Sequence, residues 1–182
     1  MATIHKYTVQ ESTNLLVPRL IEVTPTIVAD DNADNDVAFN WTKISNASIR
    51  AGEATKLVSV SIYDPGVSLG DFELFFCRGS GTDGTAPTTA QGLINAGTAG
   101  SAATDITAAE GTAIAICGSC VVNKDHAEGL ILAGVMTASD INLVMAPAST
   151  SKDLYVSGFW RSNPADNSGG NTTITMYFGF EG

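Results

Sequence analysis

Hydrophobic and polar residues alternate along most of the chain. From Thr55 to Tyr63, Val58, Val60 and Ile62 fall on one side of an extended backbone and Ser59, Ser61 and Tyr63 on the other. Phe72, Leu74 and Phe76 are opposed by Glu73, Phe75 and Cys77. Near the C-terminus, Ile174, Met176, Phe178 and Phe180 alternate with Thr173, Thr175, Tyr177 and Gly179. Successive side chains of a strand point to opposite faces, so a period of two built from β-branched and aromatic residues predicts half-buried strands. Similar runs at Leu20–Val28, Gly111–Val122, Gly129–Thr137, Ile141–Ala146 and Leu154–Arg161 bring the total to about eight strands.

The punctuation agrees. Asp64-Pro-Gly66, Gly79-Ser-Gly-Thr-Asp-Gly84, Ser139-Asp140 and the stretch from Asn163 to Gly170 have turn or loop chemistry. Only Thr88–Asn95 and Thr104–Glu110 read as helical, and both are short. The expected fold is therefore all-β, an antiparallel β-sandwich of jelly-roll or immunoglobulin-like type with one or two short helices. Residues 1–38 read as an N-terminal arm with the first strand or strands, and 39–182 as the sandwich domain. The stretch Gly79–Thr107, rich in Gly, Ala and Thr, reads as a long surface connection.

Composition narrows the partners. A chain of 182 residues can bury a full core without a disulfide or metal staple. Nine Lys and Arg against nineteen Asp and Glu give a formal charge of −10. Nucleic acids and anionic membranes are bound by clustered cations, and no such cluster is present. The expectation is no nucleic acid and no membrane. The opening residues lack the apolar run of a signal peptide. The apolar stretches Leu130–Met136 and Ile141–Pro147 fall well short of the ~20 residues of a helical span. These features predict synthesis in the cytoplasm, where three Cys stay reduced.

Candidate chemistry is sparse. Gly79–Gly84 has the letters of a dinucleotide fingerprint, but no helix pattern follows to hold a pyrophosphate, so it reads as a loop. Cys117-Gly-Ser-Cys120 has CxxC spacing within a strand, where positions three apart face opposite sides; a zinc site would need Cys77 and His126 as well. Small buried residues are the preferred reading. Asp30, Asn32, Asp34 and Asp36 alternate as oxygen ligands of a calcium loop would, yet the Gly and Glu of an EF-hand are replaced by Asn35 and Trp41. A solvated acidic loop is preferred there. The only histidines, His5 and His126, lie in no nucleophile motif, and the sequons at Asn40, Asn46 and Asn171 have no meaning without secretion. No catalytic, cofactor-binding or metal residue is assigned, and the chain is not expected to be an enzyme. Leu154, Val156 and Trp160 oppose Tyr155 and Phe159 on one strand. Aromatics on both faces suggest either a strand covered on both sides or a partner surface, so Tyr155, Phe159 and Trp160 are the candidate partner-contact residues.

From about Asn46 to Gly182 the chain resembles small β-sandwich virion proteins of tailed bacteriophages. The resembling pieces are Lys56-Leu-Val-Ser-Val-Ser-Ile-Tyr-Asp64, Asp71-Phe-Glu-Leu-Phe-Phe76, Ile141-Asn-Leu-Val144, Leu154-Tyr-Val-Ser-Gly-Phe-Trp-Arg-Ser162 and Thr173-Ile-Thr-Met-Tyr-Phe-Gly-Phe180. The acidic N-terminal segment and the Cys117–Cys120 region depart from that pattern. The resemblance implies a head decoration or cement protein that binds the major capsid protein or other virion proteins, as a homo-oligomer with a trimer as one option. Its alternative is a receptor- or carbohydrate-binding module of a tail fibre. No catalytic residues are carried over.

Overall fold

Ten strands pair in nested order in the computed structural model, which describes residues 18–27, 37–64, 70–80, 114–123, 134–161 and 172–182. The strands are β1 (Arg19–Val23), β2 (Thr26–Ile27), β3 (Val37–Ile44), β4 (Thr55–Asp64), β5 (Phe72–Ser80), β6 (Ile114–Val122), β7 (Gly134–Met145), β8 (Leu154–Trp160), β9 (Thr172–Thr173) and β10 (Thr175–Glu181). The innermost hairpin pairs β5 with β6. Around it β4 pairs β7, β3 pairs β8, β2 pairs β9 and β1 pairs β10, all antiparallel. This long double ribbon is rolled into two four-stranded sheets, β1-β10-β4-β7 and β3-β8-β5-β6, with β2-β9 as a short bridge between them. Two sheets made by rolling one nested ribbon define a jelly roll, which decides between the two sandwich types expected. The fold is all-β, and the described residues contain no helix. The proposed helices at 88–95 and 104–110 lie outside the described residues.

The core lies between the sheets and takes the side chains that the alternation assigns to it. Ile62, Met136, Met176, Phe178 and Phe180 of the first sheet meet Phe39, Leu74, Phe76, Val156 and Trp160 of the second. Phe76 and Phe178 meet edge to face at 5.9 Å, the geometry aromatic quadrupoles favour. Gly158 is required in this layer, because a Cβ there would enter the ring of Phe39. Gly118 on β6 likewise leaves room for Leu143 of the facing sheet. The edges of the two sheets converge, with β1 beside β3 and β6 beside β7.

At one end, the β3–β4 and β7–β8 connections are laced together. Ser48 N donates to Lys152 O (3.0 Å), Gly52 N to Ser151 O (2.9 Å) and Asn46 N to Asp153 Oδ1 (2.8 Å). The Arg19 guanidinium donates to the carbonyls of Asn46 and Ala47, both at 2.6 Å. Backbone groups that leave the ladders are thus satisfied, as burial demands.

Three details differ from the alternation read along the chain. Strand β3 was not expected, because two register shifts against β8 interrupt its period. The single run read at Leu20–Val28 is divided into two strands, β1 and β2. Ser139-Asp140 is not a turn between two strands but a bulge inside β7, where Asp140 and Asn142 both take positive φ (58° and 53°). Short polar side chains tolerate that conformation best. Between them, Ile141 packs against the core. The same irregularity shifts the parity of β4, so Leu57 is buried with Val60 and Ile62 while Val58 is only half-buried.

Candidate interaction surface

The outer face of the β3-β8-β5-β6 sheet carries the residues that the aromatic pattern singled out. Register places Val37, Phe159, Glu73 and Val121 in one row across the four strands. Lys43, Tyr155, Cys77 and Ile116 form another. Between them come Ser157, Phe75 and Ser119. On β3, Asn40 and Trp41 together stand opposite Ser157, a bulge that brings Trp41 against both outer rows. Phe75 and Phe159 meet edge to face at 5.1 Å.

These contacts alter the assignment made from the pattern. Trp160 is 0% exposed and belongs to the inter-sheet core, so it is not available as a partner contact. Its parity on β8, shared with Leu154 and Val156, turns it inward. Tyr155 and Phe159 do lie on the outer face, but each is only 5% exposed, packed beneath their neighbours. The half-exposed members of this face are Trp41, Phe75 and Ile116, with Val121 at 47%. Trp41 was missed because its strand was missed, and its Nε1 is buried without a hydrogen-bond partner among the described residues. Ion pairs border the patch on two sides: Arg161 Nε to Glu73 Oε2 at 2.7 Å and Lys43 Nζ to Asp153 Oδ2 at 2.6 Å. Partial burial pushes the Asp153 carboxyl up, but hydrogen bonds from Lys43 and from Asn46 N hold it below the usual carboxylate range. Burial pushes the Tyr155 phenol up, against the nearby Lys43 charge.

The thiols are placed by another bulge. Cys77 pairs with Ile116 and Phe76 with Gly118, which leaves Cys117 as an extra residue. Cys117 and Cys120 therefore both pack against the core instead of diverging, while Cys77 is buried on the outer face. All three are free. Burial pushes Cys77 and Cys120 up to about 12 and Cys117 to about 11, so they are held as neutral thiols, far from the activated thiolate of a redox site. Among the described residues, no three His, Cys, Asp or Glu converge as metal ligands. Asp30–Asp36, His5, His126 and Asn171 lie outside the described residues. Of Gly79–Gly84, only Gly79 and Ser80 are described, at the end of β5, with Gly79 at φ 90°.

No protein-family model and no curated protein matches this chain. Two solved structures of infectious bursal disease virus overlap it slightly. The Gt strain structure gives a TM-score of 0.20 at 12% identity, over 91% of this chain and 42% of that one. The Gx strain structure gives 0.19 at 14%, over 91% and 41%. The chain thus spans less than half the length of those chains, and similarity at this score carries no argument.

Proposed function

We propose that this chain is a non-enzymatic structural protein of a phage virion, a decoration or cement subunit that binds the outer surface of the head and stabilises it. The supporting observation is the nested strand order: jelly rolls of this kind recur in viral capsid and lectin domains, where a rigid two-layer body presents surfaces to neighbours. The resemblance of residues 46–182 to small virion proteins points the same way. In this reading the subunit adds stability by burying area against the major capsid protein, and its side chains perform no chemistry. Fold alone does not fix function, so the test must be made on particles.

Locating the chain in the density of an intact particle, with its copy number, is that test. Copies on the outer head lattice support the proposal; a position at the tail tip, or absence from the particle, overturns it. A chain lacking residues 1–18 keeps every described strand, because β1 begins at Arg19. It is expected to melt at nearly the same temperature yet attach to the lattice more weakly. Unfolding, or unchanged attachment, would remove the proposed role of those residues.

A carbohydrate- or receptor-binding module is the second reading, favoured by the half-exposed indole of Trp41 beside Phe75. Glycan binding lost on Trp41→Ala and kept on Trp160→Phe would establish it.

A further inference from the structure

The outer face of the other sheet has a different composition. Across β1, β10, β4 and β7, register aligns Leu20, Gly179, Ser59 and Ser139 in one row. Glu22, Tyr177, Ser61 and Thr137 form the next, and Thr175, Tyr63 and Val135 the third. In these three rows Glu22 is the single charged residue, on a chain whose net charge is −10. Beyond them, Lys56 is neutralised by Glu181 at 2.7 Å beside Val144. Leu20 (70%), Val144 (63%) and Tyr63 (40%) expose large apolar surface around a centre of hydroxyls, where Ser61 and Thr137 already share a hydrogen bond at 3.2 Å.

From this composition we infer that the β1-β10-β4-β7 face is a self-association surface, and that its occupant is the same face of a second copy. The inference does not rest on the virion reading. Copies bearing ten net negative charges repel one another, and a face nearly free of charge is where that cost is least. Hydroxyl groups both donate and accept, so a patch of Ser, Thr and Tyr can complement itself, as the two-fold axis of an isologous dimer requires. A strand spacing of ~4.8 Å and rise of ~3.3 Å give the four strands a plan area of roughly 450 Å². Two such faces bury about 900 Å², below the ~1,600 Å² of a standard stable interface. The association is therefore weak and concentration-dependent in solution, and it would be strengthened where copies are held side by side.

Sedimentation velocity on the full chain from low micromolar to near-millimolar concentration tests this. The expected result is a reversible monomer–dimer equilibrium. Thr137→Glu and Thr137→Lys should each weaken it by at least about tenfold, since either buries an unpaired charge in a contact otherwise lined by hydroxyl and apolar groups. Ser119→Glu, on the opposite exterior, should leave the sedimentation equilibrium within about twofold. Ser139→Glu serves as a second disruption if either Thr137 variant fails to fold. A monomer at every concentration overturns the inference. So does a dimer that survives the substitutions on this face, or one that Ser119→Glu dissolves.

Discussion

On the outside of the β3-β8-β5-β6 sheet, Tyr155 and Phe159 are nearly as buried as the core, whereas on the outside of its partner sheet Thr137 and Ser139 are exposed. Both faces belong to one rolled ribbon, and both alternate with core residues at the same period. The difference lies in side-chain size. Aromatic residues on neighbouring strands are large enough to cover one another, and the β3 bulge adds Trp41 to that cover. The Ser and Thr of the other face are too small to do so: Ser59, Ser61 and Thr175 are only half-buried, and Thr137 and Ser139 are exposed. An outer strand face can thus be dry without a partner, and burial alone does not mark a docking surface.

The strongest way to break this comparison is at Trp160, which belongs to neither exterior. Trp160→Ala is expected to cost about 3–5 kcal/mol, read as a fall in the denaturant midpoint. The folded variant Trp160→Phe should attach to particles as the parent does; loss of attachment would return Trp160 to the contact surface.

Thiol chemistry sharpens the point, because Cys77 on the outer face is raised to about 12, as far as core-packed Cys120. At pH 8 all three thiols should react with an aromatic disulfide reagent about a hundredfold more slowly in the folded chain than in urea. The pH dependence follows in sign. Folded thiol values lie above the unfolded ones, so the folded chain holds more protons once the pH passes about 9. Stability is complete below that pH and is lost as it rises towards 11 and 12. A folded Cys77 that reacts rapidly would show that its face is open.

Next comes a direct contrast between the exteriors. Phe159→Ala should cost about 2–3 kcal/mol, through lost burial and the Phe75 ring contact. Thr137→Ala should change stability by less than about 0.5 kcal/mol. Equal effects by thermal melts would erase the distinction.

Smaller effects than that of Phe159→Ala belong to the bordering ion pair. Lys43→Met should cost no more than about 1 kcal/mol, since Lys43 is half exposed. Asp153→Ala should cost about 1–2 kcal/mol, because Asn46 N also loses its acceptor. The folded Asp153 value lies below the unfolded one, so its contribution is present above about pH 4 and disappears as pH falls through the folded value. An acid titration of parent and Asp153→Ala, converging at low pH, is the expected outcome.

Alternation along the chain by itself determined that the protein is all-β, and it assigned Leu74, Phe76, Val156, Trp160, Met176 and Phe178 to one side of their strands. It could do so because side-chain direction in a strand depends only on parity, a local property. Parity failed wherever an extra residue entered: at Val58, at Cys117 and at Asp140–Asn142, and along the whole of β3. A bulge is set by what the partner strand and facing sheet require, and neither is adjacent in sequence. The same limit hid Trp41 and left the sandwich type open. Only the tertiary structure could choose the nested pairing, since it depends on which distant strands meet. That pairing also decided which aromatic residues cover each other and which hydroxyls remain outside.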